Sequence, residues 1–147
     1  MKDLLERFQS VLERATGKLA RIGETESAVP LAPGKWSRKQ ILGHLIDSAA
    51  NNHQRFVRAQ LEPRLEFPGY AQEQWVEAQN YQEETWGYLV GCWAGYNRHL
   101  LHVIAQIPAE KLKHVCVIGG GEPVTLEFLA KDYLRHLEQH LDQITGK

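Results

Sequence analysis

Apolar residues at Leu4, Leu5, Phe8, Val11, Leu12, Ala15, Leu19 and Ile22 recur at the three-and-four spacing of an amphipathic helix, which Gly23 closes. A linker holding Pro30, Pro33 and Gly34 follows. In "WSRKQ", Ser37 then stands three residues before Gln40, a capping-box pattern that announces a second helix running from about Ser37 to Leu61. The third helix is marked by Leu89, Trp93, Tyr96, Leu100, Val103 and Ile107, an apolar seam that stops at Pro108. Thr125 is the expected N-cap of the fourth, whose buried side is Leu126, Leu129, Tyr133, Leu137, Leu141 and Ile144.

The segments between these helices are unequal. From Pro63 to Asn80 breakers mix with aromatics, which predicts a long loop with one short helix around Gln72 to Ala78. From Lys113 to Val124 the pattern alternates and then passes through three glycines, which predicts a short hairpin or an extended crossover before the last helix. Four long helices with such connections predict an all-α fold, a four-helix bundle whose facing helices can project side chains into a shared interior. With no internal repeat or low-complexity segment, one domain over residues 1–147 is expected.

Composition narrows the function more by exclusion. Apolar residues make up 43% and charged residues 24%, the usage of a folded globular chain. The 17 basic and 18 acidic residues are interspersed with a formal net charge of −1, so no field is expected to hold nucleic acid or an anionic membrane surface. No apolar run approaches a membrane span, and "MKDLLERFQS" is amphipathic rather than signal-like, so a cytoplasmic location is expected. Cys92 and Cys116 lack metal or disulfide spacing and are expected to rest as buried thiols.

Histidine supplies the candidate chemistry. With seven histidines in the chain, chance alone gives roughly a third of one pair four residues apart, so the spacing of His136 and His140 is weak by itself. Their surroundings say more: Asp132, His136, His140 and Gln143 share one narrow sector flanking the leucine stripe of the fourth helix. On the second helix Ser48, Asn51 and Arg55 fall within about 40° of His44, with Asp47 about 60° to the other side. His53 points away from His44, His99 and His102 are expected on the surface or flank of the third helix, and His114 offers no pattern. A bundle that sets His44 against His136 and His140 would offer three imidazoles to a divalent metal, with the fourth position open, and Asp47 or Asp132 to orient a ring. Zinc or nickel leads, and cobalt or iron suits the same donors. The competing reading makes His136 and His140 solvated surface residues and His44 a hydrogen-bonded core histidine.

Two stretches, "KWSRKQILGHLIDSAANNHQRF" and "LAKDYLRHLEQHLDQI", resemble the signature segments of the DinB-like superfamily, in its branch of metal-dependent hydrolases and thiol transferases. The likeness extends through "GYAQEQWVEAQNY" and "GGGEPVTLEFLAKDY", nearly the whole chain. It implies an up-down-down-up four-helix bundle, a divalent metal on His44, His136 and His140, and a small-molecule substrate. It also implies pairing through helix faces into a homodimer, with no interface fixed by the sequence. The reaction it implies is hydrolysis, or transfer of a low-molecular-weight thiol such as bacillithiol to an electrophile. Asn51, Arg55, Tyr70 and Trp75 are the expected mouth of the pocket, with Asp47, Ser48 and Asp132 beside the ligands. The alternative is a non-catalytic helical-bundle binding module whose metal, if present, only stabilises the fold.

Overall fold

Each predicted helix forms, and the computed structural model describes residues 1–146. Helix α1 (Lys2–Ala20) buries Phe8, Val11, Leu12, Ala15 and Leu19, as their spacing dictates. It stops short of Ile22, and a single turn, α2 (Glu24–Ser27), follows. Helix α3 (Arg38–Leu61) opens with the full capping box: Gln40 N donates to Ser37 Oγ while Ser37 N donates to Gln40 Oε1 at 2.9 Å. Helix α4 (Gln72–Gln79) is the short helix of the long loop, and helix α5 (Trp86–Ala105) is capped by Thr85. Thr125 caps α6 (Leu126–Thr145) by accepting from Phe128 N.

Contacts at the helix ends fix the directions. Trp86 at the start of α5 donates through Nε1 to Leu19 O at the end of α1, so these two run antiparallel. Arg38 at the start of α3 donates to Ile144 O at the end of α6, so this pair is antiparallel too. By contrast α3 and α5 start together: Lys39 Nζ donates to Glu84 O at 2.6 Å, and further along His53 meets the Tyr96 hydroxyl at 2.9 Å. The bundle is therefore up-down-down-up. Parallel neighbours cannot be joined by a tight turn, so residues 62–85 must travel back along α3 before α5 can begin. That return path lies across the α3 face that carries His44, and it supplies one wall of the site.

Part of the return path is a strand that periodicity did not reveal. Strand β1 (Arg64–Phe67) pairs in parallel with β2 (Val115–Ile118), which pairs antiparallel with β3 (Val124–Thr125). The hairpin expected before the last helix is thus present and recruits a third strand. Its turn passes through Gly119 and Gly120 at φ +59° and +72°, a left-handed conformation that side chains with a Cβ rarely adopt. Leu65 and Cys116, paired across the sheet, are both buried against the bundle. In the core, Tyr133 stands edge-on between Phe8 and Phe56, and its hydroxyl donates to Asn97 Oδ1. The Asn97 amide donates in turn to Trp93 O, so this buried polar pair is fully partnered. Among the described residues no helix is long and apolar enough to cross a membrane.

Candidate metal centre

Antiparallel packing of α3 on α6 places residue 44 beside residues 136 and 140. His44 projects from a fully buried turn of α3, while His136 and His140 stand one above the other on α6 because residues four apart share a helix face. Ligand nitrogens of all three lie within 4.8 Å of one another, and His44 Nε2 is 3.4 Å from His136 Nε2. Nitrogens held 2.0–2.1 Å from a tetrahedral ion are separated by about 3.3 Å, which the 3.4 Å between His44 and His136 matches, while the set of three spreads to 4.8 Å.

The protonation state fits as well. Burial, with smaller repulsions from the neighbouring imidazoles, pushes the pKa of His44 down to about 4, and burial likewise holds His136 at about 4. Both rings are neutral near pH 7, as a metal ligand must be. Gln143 Oε1 lies 2.9 Å from His140 Nδ1; an amide oxygen only accepts, so Nδ1 carries a proton and Nε2 is the atom left to serve as a ligand. His44 Nδ1 is buried with no hydrogen-bond partner among the described residues, and the Trp36 ring covers His44 with centroids 5.3 Å apart.

The carboxylates depart from expectation. Asp47 does not reach a histidine: its Oδ1 accepts from Tyr81 Oη at 2.6 Å and Gln79 Nε2 at 2.8 Å, on the side of the return path. Burial raises its pKa despite those donors. Asp132 is bound through Oδ1 to Arg135, at 2.8 Å and 3.0 Å. The orienting role thus falls to Gln143, whose place in the polar sector of α6 was visible in the sequence. Asn51, expected at the pocket, instead donates to Asp47 O and is buried in α3. Trp75 is 39% exposed and packs edge-on against Tyr70.

A cavity of about 300 Å³ opens beside His136, bounded by Ser48, Asn52, Arg55, Tyr70 and Asp132, among others. Asn52 and Tyr133 line it although sequence reasoning had not selected them; Tyr133 belongs to the apolar stripe, and only packing shows that its edge reaches the cavity. A second, more apolar hollow of about 450 Å³ adjoins His140, between Leu31, Trp36 and Ile41. The histidines thus stand between two accessible spaces. Cys92 is half-buried and Cys116 buried, and burial raises the pKa of both thiols.

One consequence is a pH dependence of the metal-free protein. Unfolded histidines titrate near 6.5, whereas folded His44 and His136 titrate near 4, so the unfolded chain takes up protons first as the pH falls. The stability these neutral rings contribute is complete above about 6.5 and lost as the pH falls through about 4, a few kcal/mol at most. Thermal melts of stripped protein over that window should therefore decline more steeply for wild type than for His136→Ala. Parallel declines would remove this account.

Comparison with known proteins places the geometry in context. The model of the DinB superfamily matches residues 4–144. A protein of Bacillus mycoides (strain KBAB4), provisionally named a metal-dependent hydrolase, is 25% identical over 80 residues. That match takes in 52% of this chain and 46% of the relative, so the chain spans about half the length of that protein. Among solved structures, YfiT from Bacillus subtilis matches with a TM-score of 0.82 at 21% identity, over 99% of this chain and 86% of that one. It is described as having an unusual four-helix bundle topology and, provisionally, as a metal-dependent hydrolase. At that identity the likeness is one of fold.

Proposed function

The chain belongs to the DinB superfamily, and on that footing we propose that it is a metal-dependent hydrolase in which His44, His136 and His140 hold one divalent ion. The observation that carries the reading is the convergence of three imidazoles, two of them held neutral by burial, next to open space. A structural zinc site is normally closed by four protein ligands, whereas three ligands facing a cavity leave room for a reactant. Zinc or nickel suits the donor set best.

Bound there, the ion would supply Lewis-acid chemistry and a nucleophile at neutral pH. The chain's own residues do the rest. His140 is held in the ligating tautomer by Gln143, and His44 is locked by burial under Trp36. Asp132 is the carboxylate lining the cavity; Arg135 occupies Oδ1, which leaves Oδ2 to hold or move a proton. Tyr70 and Asn52 bound the space in which a substrate would be oriented.

The test is a panel of ester, amide and electrophilic substrates, assayed on zinc- and nickel-loaded protein with and without a low-molecular-weight thiol. Metal-dependent turnover without thiol supports hydrolysis. Turnover only with thiol moves the same site to the thiol-transferase class, because a thiolate is a soft donor that zinc accepts readily. Metal that raises the melting temperature while no substrate turns over would favour a bundle whose ion is merely structural.

A further inference from the structure

The least explained group beside the histidines is a cation. Arg55 extends from α3 into the cavity that His136 also lines. Its Nε is buried without a hydrogen-bond partner, and among the described residues its guanidinium makes neither a hydrogen bond nor an ion pair. The Phe67 ring lies 5.7 Å from its Cζ, an aromatic face that supports the cation without neutralising it. Tyr70 and Cys116 stand nearby, and burial raises both their pKa values, so neither carries negative charge near pH 7. The cavity's carboxylate, Asp132, forms its ion pair with Arg135 through Oδ1 and none with Arg55.

Two other cations packed against the bundle show the contrast. In the groove between α1 and α6, Arg7 pairs with Glu138 at 2.7 Å. Buried Lys39 is held by Glu24 and two carbonyl oxygens. A charge kept half-buried and unpaired costs stability, so its retention points to a partner that arrives from outside.

Resting on the hydrolase reading above, we propose that Arg55 is the specificity-determining residue of this site, and that the substrate carries a carboxylate which pairs with its guanidinium while the scissile group lies toward His136. Arginine presents a planar fork that matches a carboxylate through two parallel hydrogen bonds. With Asp132 paired to Arg135, the Arg55 guanidinium alone balances a monoanion; a phosphoryl dianion would leave a second negative charge facing that carboxylate. Ser48, Asn52 and Tyr70 offer the remaining polar contacts on the cavity wall.

The experiment uses butyrate, butyramide and butyl phosphate, titrated by calorimetry into metal-stripped and zinc-loaded wild type and into Arg55→Met and Arg55→Lys. In stripped wild type, butyrate should bind at least about tenfold more tightly than butyramide, and Arg55→Met should lose that preference. Arg55→Lys should recover part of it, since it restores charge without the fork. Without ligand, Arg55→Met should melt no lower than wild type, the result that separates a recognition role from a structural one. Butyrate that binds wild type no better than the amide, or that binds Arg55→Met equally well, overturns the proposal; tighter binding of the phosphate ester overturns the assignment to carboxylates. Zinc content is measured on the same samples. Arginine-dependent butyrate binding in a protein that takes up no metal would sink the hydrolase reading alone, and normal metal uptake without that binding would sink only this one.

Discussion

His136→Ala is expected to abolish stoichiometric metal binding. The ring nitrogen it removes lies 3.4 Å from His44 Nε2 and completes the set of three ligand atoms within 4.8 Å. Two imidazoles on separate helices remain, and with only two protein donors the site no longer has the three-ligand constitution of a catalytic zinc centre. Loss of an outer partner of a ligand costs about 10–100-fold in affinity, so loss of a ligand itself should exceed that range. Gln143→Ala, which removes only the group orienting His140, should fall within it. Elemental mass spectrometry of untagged protein, followed by competition titration with a chelator, distinguishes the three proteins. The metal-dependent rise in melting temperature should vanish in His136→Ala, while the stripped variant melts close to stripped wild type, because a half-buried neutral ring contributes little packing. Retention of about one equivalent of metal at wild-type affinity in His136→Ala would falsify the metal assignment.

Gly43→Ala should be among the most damaging single-methyl changes in the chain. A helical glycine normally gains up to about 1 kcal/mol on replacement by alanine. At residue 43, however, an added Cβ would lie well inside van der Waals contact with the Tyr81 ring, which packs flat against the α3 backbone. Tyr81 cannot yield cheaply: it is 7% exposed, and its hydroxyl holds Asp47 at 2.6 Å. Overpacking costs about 1–3 kcal/mol, and stripping donors from a buried carboxylate adds about 1–3 more, so a net loss of roughly 2–4 kcal/mol is expected. For a chain of this size that lowers the melting temperature by about 5–15 °C. Because residue 43 adjoins His44, metal affinity should fall with it. Gly17→Ala is the control: nothing lies within 4 Å of its added methyl, so it should be neutral or stabilising. An unchanged melting temperature for Gly43→Ala would mean that Tyr81 does not pack where the structure places it.

Much of this was legible in the chain. The helices were readable because each buries one stripe, and a stripe repeats at the helical period whatever it packs against: Phe8, Val11 and Leu19 on α1, Leu126, Tyr133 and Leu141 on α6. The capping box at Ser37 and the cap at Thr125 were readable because their hydrogen bonds close within three residues. Strand β1 was not, since its four residues pair with a segment some fifty positions away and carry no alternation long enough to register. Asp47 was misassigned for a related reason. The helical wheel gave its direction on α3, but Tyr81 and Gln79 lie on the return path, whose course over that face is a property of the assembled bundle.

By itself, then, the sequence determined local quantities: the helices and their caps, the polar edges of α3 and α6, and which histidines share a helix face. Tertiary structure decided how those edges meet. The antiparallel contact of α3 with α6 brings His44 to His136 and His140, and the chain's return from α3 to α5 ties Asp47 to Tyr81 and Gln79 rather than to a histidine. It also left Arg55 without a partner among the described residues, which no spacing can announce, because whether a charge is satisfied depends on every residue that folding brings near it. Periodicity reports what one element buries; a site belongs to several elements, and its chemistry is set by the distances between them.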